Sequence, residues 1–298
     1  MHLIKRFFTI FVLTYTLVLI LLWVCQERLI FFPKSLEQNF AWNFNDKFNE
    51  FFIYVGDEIF NQKSVSLNLI AFRAKNPKGA VLFLHGNAGN LGDFAHFRNI
   101  FLKHGFDFYI YDYRGFGKSG GQIYNSYELF NDAGKIFEFM KNDFVKRNLD
   151  STSQTDMISK YQKNNFIIIG YSIGSGIAAN IGTQMKVHTI LIAPYFSLRE
   201  LAVQKLPFVP SFLVRYDIKT NEYLQKIAAQ KSFKIDIIYA KFDTLISPAN
   251  ALRLAKIVPN ARVFEVMAGH NDILYNPKMN EIFDEILTQN DKLLKIKI

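Results

Sequence analysis

The chain has 298 residues, and half of them are hydrophobic, which suffices for the apolar core of one large domain. Its net charge is +9, but the basic residues are scattered, and no run of Lys and Arg interleaved with aromatic residues indicates nucleic-acid binding. Cys25 is the single cysteine, which excludes a disulfide within the chain.

The first predicted element is an apolar helix over residues 7–25, a stretch without a charged side chain. Its length matches the ~20 residues that cross a bilayer as a helix. No small-residue cleavage site follows it, and bulky Val24 stands before Cys25, where a lipoprotein signal requires a small residue. We therefore predict an uncleaved signal anchor over residues 1–28 that contacts the lipid bilayer through residues 7–25.

Basic residues flank this stretch on both sides, with Lys5 and Arg6 before it and Arg28 and Lys34 after it. Because the two sides are nearly balanced, the short N-terminal tail and its amino group decide the orientation, and they favour a cytoplasmic N-terminus. The sequence thus predicts a single-pass membrane protein whose remaining residues lie on the non-cytoplasmic side.

Beyond the anchor, residues 29–50 are aromatic-rich and irregular, and we assign them to a juxtamembrane segment. From there on, short β-branched and aromatic runs alternate with amphipathic stretches. Strands are predicted at 51–55, 64–74, 80–84, 106–111, 166–169, 188–193, 235–240 and 261–266, and helices at 94–103, 127–141, 175–181, 248–257 and 279–294. This alternation predicts an α/β domain over residues 51–298, with a mostly parallel sheet covered by helices on both faces.

Two segments interrupt the alternation. Residues 142–165 are polar and are predicted to form a surface insertion. Residues 194–230 are long and aromatic, and Pro207 and Pro210 break their helical pattern, so a small, partly helical cap is expected there.

A G-x-S-x-G motif, formed by Gly170, Ser172 and Gly174, directly follows the strand at 166–169 and precedes the helix at 175–181. A strand, this motif and a helix together are the context of a nucleophile elbow, in which the serine occupies a strained turn. The N–H groups and the positive dipole end of the helix then face the position where negative charge develops on a substrate. Ser172 is therefore predicted to be a catalytic nucleophile.

A nucleophilic serine requires a base and an acid, and in this topology they follow it in the order Ser, Asp or Glu, His. His270 lies in the loop after the last strand, whereas His188 begins a strand and is interpreted as structural. Asp243 follows the strand at 235–240 and reaches the same edge of the sheet, so it is the predicted acid. Asp272 is the alternative, but a neighbour in sequence rarely has room to contact the Nδ1 atom of the histidine.

The oxyanion hole requires two N–H donors. One is predicted at Ile173, the residue after the nucleophile. The other is predicted in the loop after the strand at 80–84, where Asn87 fits best and Ala88 is the alternative. His85 precedes the serine, in the wrong order for the base, and is interpreted as a structural residue of the same loop.

Two glycine-rich loops match nucleotide sites only in part. Asp112 stands where a Walker A loop ending in Gly117, Lys118 and Ser119 requires a glycine. The glycines after His85 have the spacing G-x-x-G-x-x-G, which differs from that of a dinucleotide-binding loop. We therefore expect no nucleotide, and the predicted chemistry needs neither a metal nor an organic cofactor.

Five motifs occur in one order along the chain: HGNAGN at 85–90, DYRGFGKS at 112–119, GYSIG at 170–174, APYFSL at 193–198 and GHND at 269–272. With them the chain resembles the α/β-hydrolases and, more narrowly, the membrane-anchored serine hydrolases grouped with abhydrolase-domain proteins 13 and 17. The resemblance implies the α/β-hydrolase fold, with a small helical cap at about 194–230 and one transmembrane helix before the domain. It also implies catalytic Ser172, Asp243 and His270. The sequence departs from the family at 239–243, where YAKFD replaces the usual His-Gly-x-x-Asp before the acid.

These residues predict a membrane-anchored serine hydrolase whose substrate is a small-molecule or acyl-chain ester or a thioester. Tyr195 and Phe196, together with Phe208 and Phe212, are expected to give the cap an apolar wall for the acyl chain. The same aromatic side chains also suit a packed core, and this alternative stays open.

Two other functions also stay open. One is a serine peptidase of the same fold, for which Glu200 and Arg215 in the cap are the candidate anchors of a peptide terminus. The other is a non-catalytic, membrane-tethered binding module, which is disfavoured because the three triad residue types occur in order. The sequence carries no indication of an oligomeric state.

Overall fold

A computed structural model gives the fold and describes residues 2–56, 64–148, 165–230 and 233–295. The strands are β1 (Phe32–Pro33), β2 (Phe48–Val55), β3 (Val65–Phe72), β4 (Gly79–Leu84), β5 (Ala88–Gly89), β6 (Phe106–Tyr111), β7 (Phe166–Tyr171), β8 (His188–Ile192), β9 (Ile235–Ala240) and β10 (Arg262–Val266). The α-helices are α1 (His2–Val24), α2 (Gln26–Ile30), α3 (Leu91–Phe94), α4 (Arg98–Lys103), α5 (Ser126–Asn148), α6 (Ile173–Met185), α7 (Leu198–Lys205), α8 (Thr220–Gln225), α9 (Ala249–Ile257) and α10 (Lys278–Lys295). Short 3₁₀ helices cover Ala95–Phe97, Ser211–Leu213 and Ile273–Tyr275.

In the described part of the chain, eight strands form one sheet in the order β10, β9, β8, β7, β4, β6, β3, β2. Along this order the strands from β10 to β6 are parallel, whereas β3 pairs antiparallel with both β6 and β2. The register pairs Leu84 with Gly170 and Tyr171 with Ile192, so the carboxyl ends of β4, β7 and β8 meet at one edge. A parallel sheet carries its functional site at that edge.

Successive residues of the central strands face opposite sides of the sheet, as strand geometry requires. Ile168 belongs to an apolar cluster with residues of α5, α6 and α9. Ile167 and Ile169 belong to a second cluster, on the other face, with residues of α3, α4 and α10. Both faces are thus covered, and the predicted fold class, a mostly parallel sheet between two layers of helices, is confirmed.

The helix predicted at 94–103 differs from the observed structure. It begins earlier, at Leu91, and a 3₁₀ turn divides it into α3 and α4. The early start follows from Asn90, whose side-chain oxygen accepts the N–H of Gly92 at 3.0 Å and so caps the first turn. A cap of this kind fixes the beginning of a helix independently of its apolar pattern.

Other differences concern the lengths of predicted elements. β2 begins at Phe48, within the segment assigned to the juxtamembrane region. Helix α5 continues to Asn148 and takes up the start of the insertion predicted at 142–165. Residues 149–164 lie outside the described residues, as does Asn61, near which the sequence predicts a turn between the strands at 51–55 and 64–74.

Helix α1 stands apart from the core. Residues His2–Val24 include no buried side chain, and by length and composition the helix is apolar enough to cross a membrane. The chain continues through α2 into β1, which pairs parallel with β5 and places Phe32 opposite Ala88 and Pro33 opposite Gly89. The juxtamembrane segment is therefore held by strand pairing to the loop after β4.

Candidate active site

Ser172 lies in the sharp turn between β7 and α6, with φ +54° and ψ −119°. A residue with a side chain adopts such a conformation at a cost of about 1–3 kcal/mol. The turn leaves no room for side chains at its flanks: a Cβ atom on Gly170 would lie 2.1 Å from the Gly174 carbonyl oxygen, and one on Gly174 would lie 2.3 Å from the Leu84 carbonyl oxygen. Glycine at both positions is therefore a steric requirement of the turn.

Hydrogen bonds fix the backbone of this turn from two sides. The N–H of Ser172 donates to the Ile192 carbonyl of β8 at 2.9 Å. The hydroxyl of Ser175 donates to the Ser172 carbonyl at 2.6 Å. The strained serine is thus held between the neighbouring strand and the first turn of α6.

His270, in the loop after β10, connects Ser172 to Asp243 through both nitrogens of its ring. Its Nε2 atom lies 2.9 Å from Ser172 Oγ, and its Nδ1 atom lies 2.6 Å from Asp243 Oδ2. The other carboxylate oxygen, Oδ1, accepts the N–H groups of Leu245 at 2.9 Å and Ile246 at 2.7 Å. Because Nδ1–H donates to the carboxylate, Nε2 is free to accept the serine proton. All three side chains are buried, which shields these hydrogen bonds from water.

The alternative acid and the second histidine are engaged elsewhere. Asp272 accepts the N–H of Gly269 through Oδ2 at 3.2 Å. His188 lies at the amino end of β8, where its Nε2 atom is 2.6 Å from Asp236 Oδ2. Of the two candidate acids, Asp243 is therefore the one that reaches the histidine ring of the site.

His85 begins the loop after β4 and is fully buried. Its ring stacks on Phe94 with centroids 5.3 Å apart, and its Nε2 atom lies 3.5 Å from Asp112 Oδ1. Burial raises the pKa of Asp112, although His85 and the N–H of Leu91, which donates to Oδ1 at 2.6 Å, act in the opposite direction. The loop that begins with Asp112 therefore packs against the predicted oxyanion loop.

Tyr171 holds the histidine in place, a role that sequence reasoning missed. Its hydroxyl donates to the His270 carbonyl at 2.8 Å, and the two rings stack with centroids 5.6 Å apart. Burial raises the pKa of this hydroxyl, so it stays protonated and remains a donor at neutral pH. Tyr171 occupies a variable position of the G-x-S-x-G motif, and the motif itself carries no signal for this contact.

The two predicted oxyanion donors, Asn87 and Ile173, line the same cavity as Ser172. Ile173 is the first residue of α6, so its N–H has no acceptor within the helix. Two other polar groups of Asn87 are engaged, because its side-chain amide donates to the Ile30 carbonyl at 2.6 Å and its own carbonyl accepts the Phe32 N–H at 2.8 Å. The N-terminal segment thus holds the predicted oxyanion loop in position.

An apolar cavity of about 240 Å³ adjoins Ser172. The cap, the N-terminal helices and the loops after β4, β7 and β9 form its wall: Leu22, Gln26, Leu29, Ile30, Asn87, Ser172, Ile173, Tyr195, Leu198, Leu201, Ala202, Lys205, Leu206, Val209, Val214, Leu245 and Ile246. None of these described lining residues is acidic, and the amino group of Lys205, the one cation among them, donates to the Thr244 carbonyl at 2.9 Å. The cavity therefore suits an uncharged, apolar group. Among the described residues, no group of three or more His, Cys, Asp or Glu side chains is placed to hold a metal ion.

The two predicted substrate-binding residues have different positions. Tyr195 lines the cavity, where it is buried and donates its hydroxyl to the Ile173 carbonyl at 3.2 Å. Phe196 lies outside the residues that line the cavity, and the guanidinium of Arg253 packs 3.6 Å from its ring centroid. The expected aromatic wall is thus corrected to a mostly aliphatic one with Tyr195 in it, because the side chains of α7 face the cavity and Phe196 packs away from it.

The N-terminal helices supply part of the wall that sequence reasoning missed. Leu22 of α1 and Leu29 of α2 both line the cavity. Phe208 and Phe212, which were expected in the wall, are instead 51% and 77% exposed. An apolar stretch indicates that it avoids water but not which surface covers it, so no sequence signal distinguishes these positions.

Comparisons with known proteins agree with this fold. The family model described as serine aminopeptidase, S33, matches residues 75–296. An uncharacterised membrane protein of Saccharomyces cerevisiae is 24% identical over 239 residues, which cover 78% of each chain. A Mycoplasma genitalium protein described as an esterase/lipase is 22% identical over 249 residues, which cover 78% of this chain and 85% of that protein.

The esterase Pf2001 of Pyrococcus furiosus is a solved structure with the same fold. It is 18% identical in sequence, and the match has a TM-score of 0.57 over 87% of this chain and 97% of the esterase. Since the family model spans well over half of the sequence, the chain belongs to the serine aminopeptidase S33 family of the α/β-hydrolases.

Proposed function

We propose that this protein is a membrane-anchored serine hydrolase that cleaves a carboxylic ester or a thioester through an acyl-enzyme on Ser172. The observation that carries the proposal is the hydrogen-bonded series of Asp243, His270 and Ser172 beside an apolar cavity. Membership of the α/β-hydrolases supports a hydrolytic reaction at this site. A non-catalytic binding module would have no use for such a series.

In the first half of the reaction, Ser172 Oγ attacks the carbonyl carbon and His270 Nε2 accepts the hydroxyl proton. Asp243 accepts the Nδ1–H bond, which orients the imidazole and stabilises its positive charge. The negative oxygen of the tetrahedral intermediate accepts the N–H groups of Asn87 and Ile173. His270 then donates the proton to the leaving alcohol or thiol, and the acyl group remains on the serine.

Water completes the turnover through the same groups. His270 accepts a proton from a water molecule, whose oxygen attacks the acyl-serine carbonyl. Collapse of the second intermediate returns this proton to Ser172 Oγ and releases the carboxylic acid. The cycle is therefore balanced with water as the co-reactant.

The cavity favours an acyl group of medium length. Its volume of about 240 Å³ is several times the roughly 30 Å³ of one water-sized group, so several methylenes of an acyl chain fit inside. Because the wall is mostly aliphatic, each methylene placed inside adds up to ~0.8 kcal/mol of binding. An ester of a medium-chain acid is therefore the preferred substrate class.

A serine peptidase is the second candidate, because the family is described as serine aminopeptidases. An aminopeptidase binds the α-amino group of its substrate, for which an acidic side chain is the natural partner, and the described lining residues include none. Glu200 forms an ion pair with Arg253, and Arg215 forms one with Glu27. The two charged cap residues are thus already paired, which favours the ester or thioester.

Helix α1 is proposed to anchor the enzyme as a single-pass helix through residues 7–25. Its length and composition support this role, as does the description of the yeast relative as a membrane protein. In this arrangement residues 1–28 form the anchor, residues 29–50 the juxtamembrane segment and residues 51–298 the catalytic domain. The positive-inside rule favours the non-cytoplasmic side for that domain.

Hydrolysis of p-nitrophenyl esters from acetate to palmitate, by the full-length protein in detergent, tests the catalytic proposal. We expect kcat/KM to rise about tenfold for two added methylenes until the cavity is filled. Ser172→Ala is expected to lower kcat by at least about 10³-fold.

Wild-type activity of Ser172→Ala would refute the assignment of the nucleophile. A steady fall of kcat/KM from acetate onward would refute the medium-chain preference. Faster cleavage of amino-acid anilides than of esters would favour the peptidase instead.

A further inference from the structure

The cap is hydrogen-bonded to the N-terminal helices at two positions. Near the middle of α1, the hydroxyl of Tyr15 donates to the Phe208 carbonyl at 2.7 Å. At the start of α2, the side-chain amide of Gln26 donates to the Leu213 carbonyl at 2.8 Å. Residues 206–213, here called the cap loop, therefore run alongside the end of α1.

The cap loop and the end of α1 are both apolar, and each is followed by charged residues. Arg215, just after the cap loop, lies 2.5 Å from Glu27 and 5.0 Å from the ring centroid of Trp23, a residue type favoured at the membrane interface. The cap loop itself carries no charge, and the side chains of Phe208 and Phe212 are 51% and 77% exposed. Two exposed aromatic side chains on one short, uncharged loop fit a surface that an apolar partner covers.

The geometry of α1 sets the depth of this surface. Tyr15 precedes Cys25, the last residue of the apolar stretch, by about ten residues, which is roughly 15 Å along a helix. This distance is half of the ~30 Å thickness of the hydrocarbon core of a bilayer. With Cys25 placed at the edge of the hydrocarbon core, a loop hydrogen-bonded to Tyr15 lies at the depth of the lipid chains, and Arg215 and Glu27 lie at the level of the head groups.

We propose that the cap loop inserts into the lipid leaflet beside α1 and that the cavity takes the acyl chain of its substrate from that leaflet. This inference rests on the proposed function, since it uses the anchor and the catalytic serine. The partner that covers the exposed aromatic side chains is then the hydrocarbon of the bilayer. The substrate class is a membrane-resident amphiphile whose ester or thioester carbonyl reaches Ser172.

The cavity extends into the same region. Leu22 of α1, Leu29 of α2, and Leu206 and Val209 of the cap loop all line it, together with Ser172. The cavity therefore joins the serine to residues at the depth of the leaflet. An acyl chain can pass from the bilayer to the serine along this aliphatic surface without exposure to water.

A fluorescent label on the cap loop tests its insertion. In a Cys25→Ser background, Phe212→Cys is labelled with nitrobenzoxadiazole, and the full-length protein is reconstituted into phosphatidylcholine vesicles. Tyr54→Cys is the matched control, because Tyr54 is 73% exposed and lies on the edge strand β2. We expect blue-shifted emission and strong quenching by doxyl-labelled lipid chains at position 212 and neither effect at position 54. Equal quenching of both labels by aqueous iodide would overturn the proposal.

Hydrolysis of two esters provides the second arm. The double variant Phe208→Ser, Phe212→Ser removes exposed apolar surface and leaves the lining of the cavity unchanged, and Tyr54→Ser is its control. With p-nitrophenyl palmitate in phosphatidylcholine vesicles, we expect the rate of the double variant to fall about tenfold. With water-soluble p-nitrophenyl butyrate, its rate is expected to equal that of the wild type. A wild-type rate on both substrates would overturn uptake of the acyl chain from the leaflet.

The two proposals fail in distinguishable ways. If the wild type hydrolyses neither ester, the catalytic proposal is wrong, and the label at position 212 still decides whether the cap loop is inserted. If the wild type hydrolyses both esters while this label stays in water, the catalytic proposal stands and the inference about the leaflet is refuted.

Discussion

Asp243 has contacts with the site that Asp272 does not share, since one of its oxygens accepts the Nδ1–H of His270 and the other accepts two backbone N–H groups. In Asp243→Asn an NH₂ group replaces one of these oxygens, so the amide cannot accept from both sets of donors, and the imidazole takes the wrong tautomer. We expect kcat for p-nitrophenyl esters to fall about 10³- to 10⁴-fold, with little change in the melting temperature. Asp272→Asn is the matched control and is expected to change kcat only about threefold. A greater loss in the control than in Asp243→Asn would show that the acid is wrongly assigned.

The juxtaposition of Ser172, Asp243 and His270 is predictable because each follows a strand, and the carboxyl ends of parallel strands meet at one edge of the sheet. Tyr171 and Phe196 illustrate what the sequence does not reveal at this scale. Both are aromatic residues within the recognised motifs, yet one bonds to the His270 backbone and the other lies outside the cavity lining. The direction of a side chain beside a sharp turn depends on packing across several elements, which a local pattern does not contain.

At the scale of elements, a comparison of two glycines shows that the elbow has less room for a side chain than an ordinary helix. A Cβ atom on Gly174 would lie 2.3 Å from the Leu84 carbonyl oxygen, whereas one on Gly134 in α5 would lie 3.8 Å from Ile181 Cδ1. Gly174→Ala is therefore expected to displace the elbow from β4, to lower the free energy of unfolding by about 1–3 kcal/mol or more, and to abolish ester hydrolysis. Gly134→Ala fits without displacement and is expected to raise the free energy of unfolding by up to ~1 kcal/mol.

Melting temperatures and ester hydrolysis, measured for both variants in the same detergent, check this pair. Because the substitutions are chemically identical, the difference between them reports the elbow alone. Wild-type melting and activity of Gly174→Ala would contradict the close packing of the elbow against β4.

Elements with a strong apolar pattern follow their predictions closely. β6 and β9 begin and end at the expected residues, because a largely buried strand bounded by polar loops has sharp limits. The start of the helix predicted at 94–103 and the composition of the cavity wall in the cap are less predictable from the sequence. Their details depend on a single capping side chain, Asn90, and on which face of α7 meets the cavity, and neither is set by apolar periodicity.

At the scale of the whole molecule, the N-terminal segment is continuous with the proposed catalytic site. Asn87 forms hydrogen bonds with the backbone of Ile30 and Phe32. Leu22 and Leu29 line the cavity beside the serine. The sequence predicts an apolar helix and an α/β domain but not the contacts between them. An apolar stretch looks the same whether lipid or protein covers its end, so the cavity wall at the end of α1 emerges only from the fold.

The central claim is that Ser172 is a nucleophile activated by His270 and Asp243, and covalent labelling by a fluorophosphonate tests it most directly. The full-length protein is treated with the probe and mapped by peptide mass spectrometry, with Ser172→Ala and His270→Ala treated in parallel. We predict one phosphonyl adduct on the peptide that contains Ser172, its absence in Ser172→Ala and a labelling rate at least about 10³-fold lower in His270→Ala. Folded wild-type protein without an adduct on Ser172, or an adduct that persists in Ser172→Ala, would contradict the claim.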